Sequence, residues 1–216
     1  MKPEIIELSL VFIGDFNPSI FHPSWLVQND LIKETEGDNA DINIVHKNAS
    51  KFSIDSAEFD ISRSRFQIKT ARESYFESVR DLGFSIFKIL NETPLRGLGI
   101  NYNYHYKLNS KDYLEIGKRL VPFDNWENVL SEPRVLHLDM WQETRDDEYK
   151  GSHRVIINPS DKLEKYGVKI NINDHFDKED SENNEIKLID ILSDYWIKAR
   201  TRSDEMIDNL WKNLDL

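Results

Sequence analysis

The sequence predicts an α+β fold: a mainly antiparallel sheet of about eight strands, with long helices packed on one face. Strand-like runs follow one another across short polar breaks, which is typical of hairpins, and they do not alternate regularly with helices as in a parallel sheet. Two long segments, 74–91 and 189–214, carry apolar residues at helical spacing. The order strand, helix, strands, long helix also occurs twice, which predicts two similar halves.

Length and composition favour a single domain that spans residues 1–216. A chain of 216 residues with 39% hydrophobic content can bury one sizeable core, whereas two independent cores would be small. The halves, about 1–94 and 95–216, are therefore expected to form one unit. The repetition is clearest where residues 5–13 and the helix after them are compared with residues 98–106 and the helix that follows.

The first half is predicted to begin with a strand, residues 4–13, that is apolar on both faces, as central strands are. Pro23 opens a helix that ends near Glu36, because proline suits the first helical position. The further strands of this half are predicted at residues 41–46, 51–61 and 65–70. The long helix 74–91 then ends before Thr93-Pro94.

The second half is predicted to begin with a strand at residues 98–106, in which polar and aromatic side chains alternate. Its three tyrosines share one face and are expected in the core, because aromatic residues favour strands and bury their rings. A helix at 110–121 follows, then strands at 135–143, 153–158 and 168–173, and an acidic exposed loop from Asp174 to Glu185. The closing helix is expected to be interrupted near Thr201.

The predicted sheet has one polar face, which is either a solvated surface or the lining of a groove. Because alternate residues of a strand share a face, this face collects polar side chains from several strands. From them we select five ligand-binding candidates: Asn101, Asn103, His105, Arg65 and Lys69. If the halves are related by a twofold axis, a groove at that axis would be faced by the second-half strand 98–106.

The sharpest pairing for catalysis is His137 with Asp139, which lie two residues apart on a predicted strand. A carboxylate beside an imidazole can raise the pKa of the ring and fix its tautomer, which suits a general base, and the two can also ligate a metal. His105 or His175 from other strands would complete a three-ligand set. The spacing is common by chance, so we expect no resident metal or cofactor.

Charge and composition exclude several classes of function. The formal net charge of -11 disfavours nucleic acid as a partner, although Arg63, Arg65, Lys69 and Arg72 form a basic cluster that could meet an anionic group. Cysteine is absent, which excludes disulfides and indicates a reducing cytoplasm. Residues 2–7 break the apolar run of a signal peptide, and no segment is long enough to span a membrane.

Three segments resemble the central portion of a sporadically distributed bacterial protein family of unknown function. They are the tripeptide Ser64-Arg65-Phe66, the helix from Tyr75 to Leu90, and the glycine-led strand Leu98-Gly99-Ile100-Asn101-Tyr102. The resemblance covers less than half of the chain, and its motifs are structural in character. It implies a bacterial cytoplasmic protein and transfers no catalytic residue.

The sequence thus favours a non-enzymatic module that binds a partner protein or a small ligand through its sheet face or the groove between its halves. Familiar phosphate-binding loops, nucleophile elbows and zinc-protease motifs are absent from the sequence. The alternatives are a hydrolase or metal-dependent enzyme that uses His137 and Asp139, and nucleic-acid binding through the basic cluster. Free edges of the predicted sheet also allow a homodimer.

Overall fold

The computed structural model describes residues 1–126, 128–178 and 187–215, which form nine strands and six α-helices. The strands are β1 (Ile5–Gly14), β2 (Asp41–His46), β3 (Ala49–Ser53), β4 (Glu58–Ser62), β5 (Arg65–Thr70), β6 (Leu95–Lys107), β7 (Leu138–Gln142), β8 (Gly151–Pro159) and β9 (Gly167–Asp177). The helices are α1 (Pro23–Gln28), α2 (Glu34–Asp38), α3 (Phe76–Ile89), α4 (Ser110–Leu120), α5 (Ile191–Asp194) and α6 (Trp196–Leu214).

The nine strands form one antiparallel sheet in the order β2-β3-β4-β5-β1-β6-β9-β8-β7. The first strands of the two predicted halves, β1 and β6, are paired at its centre, with Leu10 opposite Ile100. This position explains why β1 is apolar along most of its length. The prediction of an α+β fold with a mainly antiparallel sheet is confirmed.

The core lies between this sheet and the two long helices. The ring centroids of Phe87 in α3 and Phe12 in β1 are 4.3 Å apart, and those of Trp211 in α6 and Tyr106 in β6 are 4.7 Å apart. The three tyrosines of β6 are at most 2% exposed. Each large side chain buried in this way contributes about 1.5–3 kcal/mol to folding. The predicted packing of α3 and α6 on one face is therefore correct, as is the core position of the tyrosines.

The sheet has one strand more than predicted, because the segment 51–61 is a hairpin. The backbone amide of Ile54 donates to the carbonyl of Ala57 at 2.9 Å, and the reverse bond is 3.3 Å. The turn reverses the chain direction, so that the rings of Phe52 and Phe59 stack with their centroids 4.5 Å apart. The apolar residues change from even to odd positions across this turn, a phase shift that a single strand would not show.

The C-terminal region also differs from the prediction. The helix break lies at Tyr195 and not near Thr201, because the buried Tyr195 ring packs 5.1 Å from that of Phe176 at the point where α5 ends and α6 begins. β9 continues to Asp177, so Asp174 belongs to a strand and not to an exposed loop. Residues 179–186 of the predicted acidic loop lie outside the described residues. Among the helices of the described part of the chain, none has the length and apolar character that crossing a membrane requires.

Candidate functional site

The face of the sheet opposite the helices, called the open face below, carries most of the polar candidates. Strand alternation places the odd-numbered residues of β1, β5, β6, β7 and β9, and the even-numbered residues of β8, on this face. The pairing aligns them in rows across the sheet. One row runs from Ser9 through Asn101, Asn173 and Arg154 to Trp141.

Four asparagines form the centre of the open face, two in β6 and two in β9. The Asn173 amide donates to the Asn101 carbonyl oxygen, and the Asn171 amide donates to that of Asn103 at 2.9 Å. Asn101 in turn donates to the backbone carbonyl of Ser9 at 3.1 Å. Because these bonds hold the side chains in place, the amides form a rigid polar floor with fixed donor and acceptor positions.

A groove with a volume of about 780 Å³ crosses this floor. A Cβ added at Gly99 would lie 3.2 Å from the amide nitrogen of Asn101 and 3.3 Å from that of Asn173, so the absence of a side chain at Gly99 leaves the floor open. Trp141 in the edge strand β7 is 62% exposed and lines the groove at one end. The groove is lined by residues of β5, β1, β6, β9, β8 and β7, namely Val11, Ile13, Arg65, Gly99, Asn101, Asp139, Trp141, Ser152, Arg154, Ile156, Asn171, Asn173 and His175.

The groove is more positive than the rest of the protein. Its lining contains two arginines and one aspartate, a local excess of positive charge in a chain with a net charge of -11. Arg154 is held by Asp139, to which its Nε donates at 2.6 Å. Arg65 has no ion-pair partner among the described residues and is half-buried in the lining. The guanidinium of Arg65 is therefore available to an anionic group.

Four of the five predicted ligand-binding residues separate into two groups. Arg65 and Asn101 line the groove. Asn103 lies on the open face beside it, where its amide donates to Glu7 Oε1 at 3.1 Å. Lys69 is 3.1 Å from Glu58 Oε2. The structure thus brings two of the five together at the groove and pairs Asn103 and Lys69 with carboxylates.

The fifth candidate, His105, points towards the open face but is completely buried. Its Nδ1 lies 2.8 Å from the hydroxyl of Ser160, which follows β8. Burial lowers the pKa of His105, which favours the neutral ring. Its role as a ligand contact or a catalytic group would require the segment around Ser160 to move away.

The predicted catalytic pair lies at the edge of the sheet. His137, just before β7, is 3.7 Å from Asp139 Oδ2 through Nε2, and its Nδ1 is 2.6 Å from the side-chain oxygen of Asn158. Both carboxylate oxygens of Asp139 accept hydrogen bonds from Arg154. These bonds hold the pKa of Asp139 below its ordinary value. The histidine and the carboxylate are adjacent as predicted, but Arg154 already occupies the carboxylate.

The predicted basic cluster is dispersed in the structure. Arg63 Nε donates to Asn48 Oδ1 at 3.1 Å, and Arg72 is 3.0 Å from Asp55. With Lys69 paired to Glu58, Arg65 is the member of the cluster that remains unpaired among the described residues. A continuous basic surface for a phosphate backbone does not form at these four residues.

A second polar assembly, which the sequence analysis missed, lies under the helices. This buried ion cluster consists of Arg145, Asp147, His153, Asp174 and Arg202. Arg145 is fully buried, its Nε and Nη2 donate to Asp147 at 2.8 and 2.6 Å, and its Nη1 donates to Asp174. His153 Nδ1 is 3.1 Å from Asp174, and Arg202 of α6 contacts the opposite ring nitrogen. The cluster therefore joins the loop after β7 to β8, β9 and α6.

Part of this cluster has the spacing of a metal site. Asp146, Asp147 and His153 each place a ligand atom within 4.8 Å of the others, the one such group of three among the described residues. However, Arg202 lies 2.8 Å from Asp146 and 3.5 Å from Asp147, and Arg145 binds Asp147 through two bonds. Two guanidinium groups thus already neutralise these carboxylates, and the arrangement is that of a structural ion network.

The apolar alternation of β9 contains a signal that could have located Asp174. Val168, Ile170, Ile172 and Phe176 are buried at alternate positions, and Asp174 falls on the same face between the last two. A carboxylate in that position predicts a buried cationic partner.

Comparison with family models finds no match to this chain, and comparison with curated protein sequences finds none either.

Proposed function

We propose that this chain is a binding module that takes a small anionic ligand in the groove of the open face. The observation that carries the proposal is the unpaired guanidinium of Arg65 beside a rigid floor of asparagine amides. The groove volume of about 780 Å³ lies in the range of small-molecule sites, which is about 300–1,000 Å³.

Each part of the groove supports one feature of the ligand. The planar fork of an arginine can bind a carboxylate or a phosphate through two hydrogen bonds, so Arg65 would hold the anionic group. Asn101 and Asn173 would orient polar groups near the floor. The exposed ring of Trp141 offers a surface for a flat or apolar part of the ligand.

The same lining supports binding more strongly than catalysis. A general base has to be free to accept a proton, but Asp139 is already bonded to Arg154. The hydrolase or metal-enzyme alternative at His137 and Asp139 would need a third histidine or carboxylate, and among the described residues no such group of three includes the pair. We also infer a reducing cytoplasmic location, because the chain contains no cysteine.

A thermal-shift titration tests this proposal. The probes are citrate, glutamate, inorganic phosphate, pyrophosphate and adenosine monophosphate, which span carboxylates, phosphates and a ring-bearing anion. A ligand present at a hundredfold excess over its dissociation constant stabilises the folded state by about 2.7 kcal/mol. At about 2–4 °C per kcal/mol for a chain of this length, the melting temperature should rise by roughly 5–11 °C.

The matched variants are Arg65→Gln, which removes the free guanidinium, and Arg63→Gln, which removes a nearby arginine outside the groove. We expect the shift to disappear in Arg65→Gln and to persist in Arg63→Gln. Gly99→Ala should also weaken binding, because its Cβ would displace the two amides that border it. A shift that persists in both Arg65→Gln and Gly99→Ala, or no shift with any probe, would contradict the proposal.

The groove crosses the boundary between the two halves, and we infer that these halves arose by duplication. Three features support this inference: β1 and β6 are paired at the centre, each is flanked by the last strand of its own half, and in both halves the remaining strands follow outward in reverse chain order. The halves differ in strand number, because the first half has one strand more than the second. An experimental structure in which β1 and α3 fail to superpose on β6 and α6 would contradict duplication.

A further inference from the structure

The edge strand β7 and the segment before it carry an exposed apolar surface, of which the ligand groove accounts for Trp141 alone. Six large apolar side chains are exposed in this strand and the segment before it: Trp126, Val129, Leu130, Leu136, Met140 and Trp141 are 43–75% exposed. Trp126, Leu130 and Leu136 border the same cavity of about 340 Å³, so these three side chains lie together. We call the six side chains, together with strand β7, the β7 edge.

The apolar area of the β7 edge is at the upper end of what the largest patch of a typical monomer exposes, about 300–600 Å². The six side chains offer on the order of 600 Å² of apolar surface, at about 150–250 Å² for a complete aromatic ring and less for an aliphatic chain. A stable interface buries about 800 Å² on each partner. The six side chains therefore supply most of the area that each partner of a stable dimer buries.

We propose that the β7 edge is a homodimer interface in which β7 pairs antiparallel with β7 of a second copy. β7 is hydrogen-bonded to β8 on one side, and its other side is the end of the sheet. Antiparallel pairing of two identical strands produces a closed twofold dimer in which both copies use the same surface. The pairing joins the two sheets into one and covers the exposed apolar side chains of both copies.

Charge and the length of β7 together select one register for this pairing. Opposite residues of an antiparallel pair point to the same face of the sheet, so in two identical strands their numbers are both odd or both even. A twofold axis perpendicular to the sheet therefore passes at one residue of β7, which lies opposite its own copy. Centring on Asp139 would place two aspartates opposite each other, and centring on Trp141 would place Asp139 opposite Glu143. Centring on Met140 instead places Glu143 opposite His137 of the second copy. Like charges directly opposite are destabilising, and the register centred on Met140 also pairs every residue of β7, Leu138–Gln142, with a residue of the other β7, so the axis passes at Met140.

The other free edge of the sheet is a less suitable partner. β2 also exposes two apolar side chains, Ile42 at 50% and Ile44 at 47%. However, its register with β3 shifts between these residues, and such an irregularity bends an edge away from further pairing. The pairing of β7 with β8 shows no register shift. The two edges thus provide a matched comparison within one protein.

Cysteine cross-linking tests both the interface and its register, because the natural chain contains no cysteine. Opposite residues of an antiparallel pair have Cα atoms about 4.5–5.5 Å apart, which lies within the range for a disulfide, about 4.4–6.8 Å. Full-length Met140→Cys protein, oxidised mildly with glutathione disulfide, should migrate mostly as a covalent dimer on a non-reducing gel. Ile44→Cys, the control on the other edge, should remain monomeric on the gel.

Light scattering coupled to size exclusion gives the second measurement, on proteins without cysteine. The wild type should have a mass near twice 25.5 kDa, and so should Ile44→Lys. Met140→Lys places two charges opposite each other at the axis and should be a monomer with unchanged circular dichroism. A monomeric wild type, a dimer that Ile44→Lys disrupts but Met140→Lys does not, or equal cross-linking at the two edges would overturn the proposal.

Discussion

Replacement of Arg145 by methionine should destabilise the protein more than the loss of any surface ion pair. Arg145 is fully buried, and its guanidinium lies 4.0 Å from the centre of the Phe176 ring. Its side-chain nitrogens bond to Asp147, Asp174 and the backbone carbonyl of His175. Methionine fills much of the same volume but leaves two carboxylates, 12% and 2% exposed, without their main cation.

The expected loss follows from this burial. Removing one partner of a buried ion pair costs about 3–5 kcal/mol, because the remaining charge stays in a medium of low dielectric constant. A domain is typically stable by about 5–15 kcal/mol, so the variant should fold with a much smaller margin. The melting temperature should fall by roughly 6–20 °C, at about 2–4 °C per kcal/mol for a chain of this length.

Urea unfolding at pH 7, followed by tryptophan fluorescence and circular dichroism, measures this loss. The matched control is Arg72→Met, since Arg72 and its partner Asp55 are 51% and 68% exposed. An exposed pair contributes about 0–1 kcal/mol, so this control should unfold close to the wild-type midpoint. A further variant that combines Arg145→Met with Asp147→Asn and Asp174→Asn removes the uncompensated charges and should recover part of the lost stability.

Two results would refute this reasoning about Arg145. A loss in Arg145→Met no larger than that in Arg72→Met would mean that the guanidinium does not compensate buried charge. A combined variant that is less stable than Arg145→Met alone would mean that the two carboxylates are not the source of the loss.

Three further predictions concern pH and the tyrosines of β6. Burial alone would raise the pKa of Asp147, but the hydrogen bonds and charge of Arg145 hold it at about 2. The stability that the ionised Asp147 contributes is complete above pH 4 and is lost as the pH falls towards 2. The urea midpoints of wild type and Arg145→Met should therefore converge in acid. Burial lowers the pKa of His105, so between pH 7 and pH 5 the unfolded chain takes up a proton more readily than the folded chain, and the stability of the protein should fall over this range. The melting temperature of His105→Gln should depend less on pH. Tyr104 donates to Asp204 at 2.7 Å, and Tyr104→Phe should cost about 1.5–3 kcal/mol in urea unfolding. In the control Tyr106→Phe, which removes a buried hydroxyl without a hydrogen-bond partner among the described residues, the change should be much smaller.

The elements with regular periodicity were the ones that the sequence predicted well. β2 and β5 have the predicted bounds, and α3 lies inside the predicted segment 74–91, because alternation and helical spacing are local properties. For the hairpin of β3 and β4 the sequence predicts a single strand, since Asp55 and Ser56 are a weak turn signal between two apolar runs. The position of the break at Tyr195 depends on packing against Phe176, which local sequence does not contain.

The candidate site was predictable residue by residue but not as an assembly. Period-two alternation placed Arg65 and Asn101 correctly on the open face. The ordering of the strands then decided that Asn101 lies opposite Asn173, and that the segment around Ser160 covers His105. These contacts join residues about 50–70 positions apart, and side-chain patterns within a strand carry no information about which strand will be its neighbour.

By itself, the sequence determined the α+β class, the two long amphipathic helices, the polar and apolar faces of the strands and the acidic net charge, because each depends on composition or on the spacing of nearby residues. The tertiary structure alone decided the strand order, the groove across the open face, the burial of Arg145 between two carboxylates and the exposure of the β7 edge. The physical reason is that burial and charge compensation depend on residues that are distant in sequence. Only the folded chain brings these residues into contact.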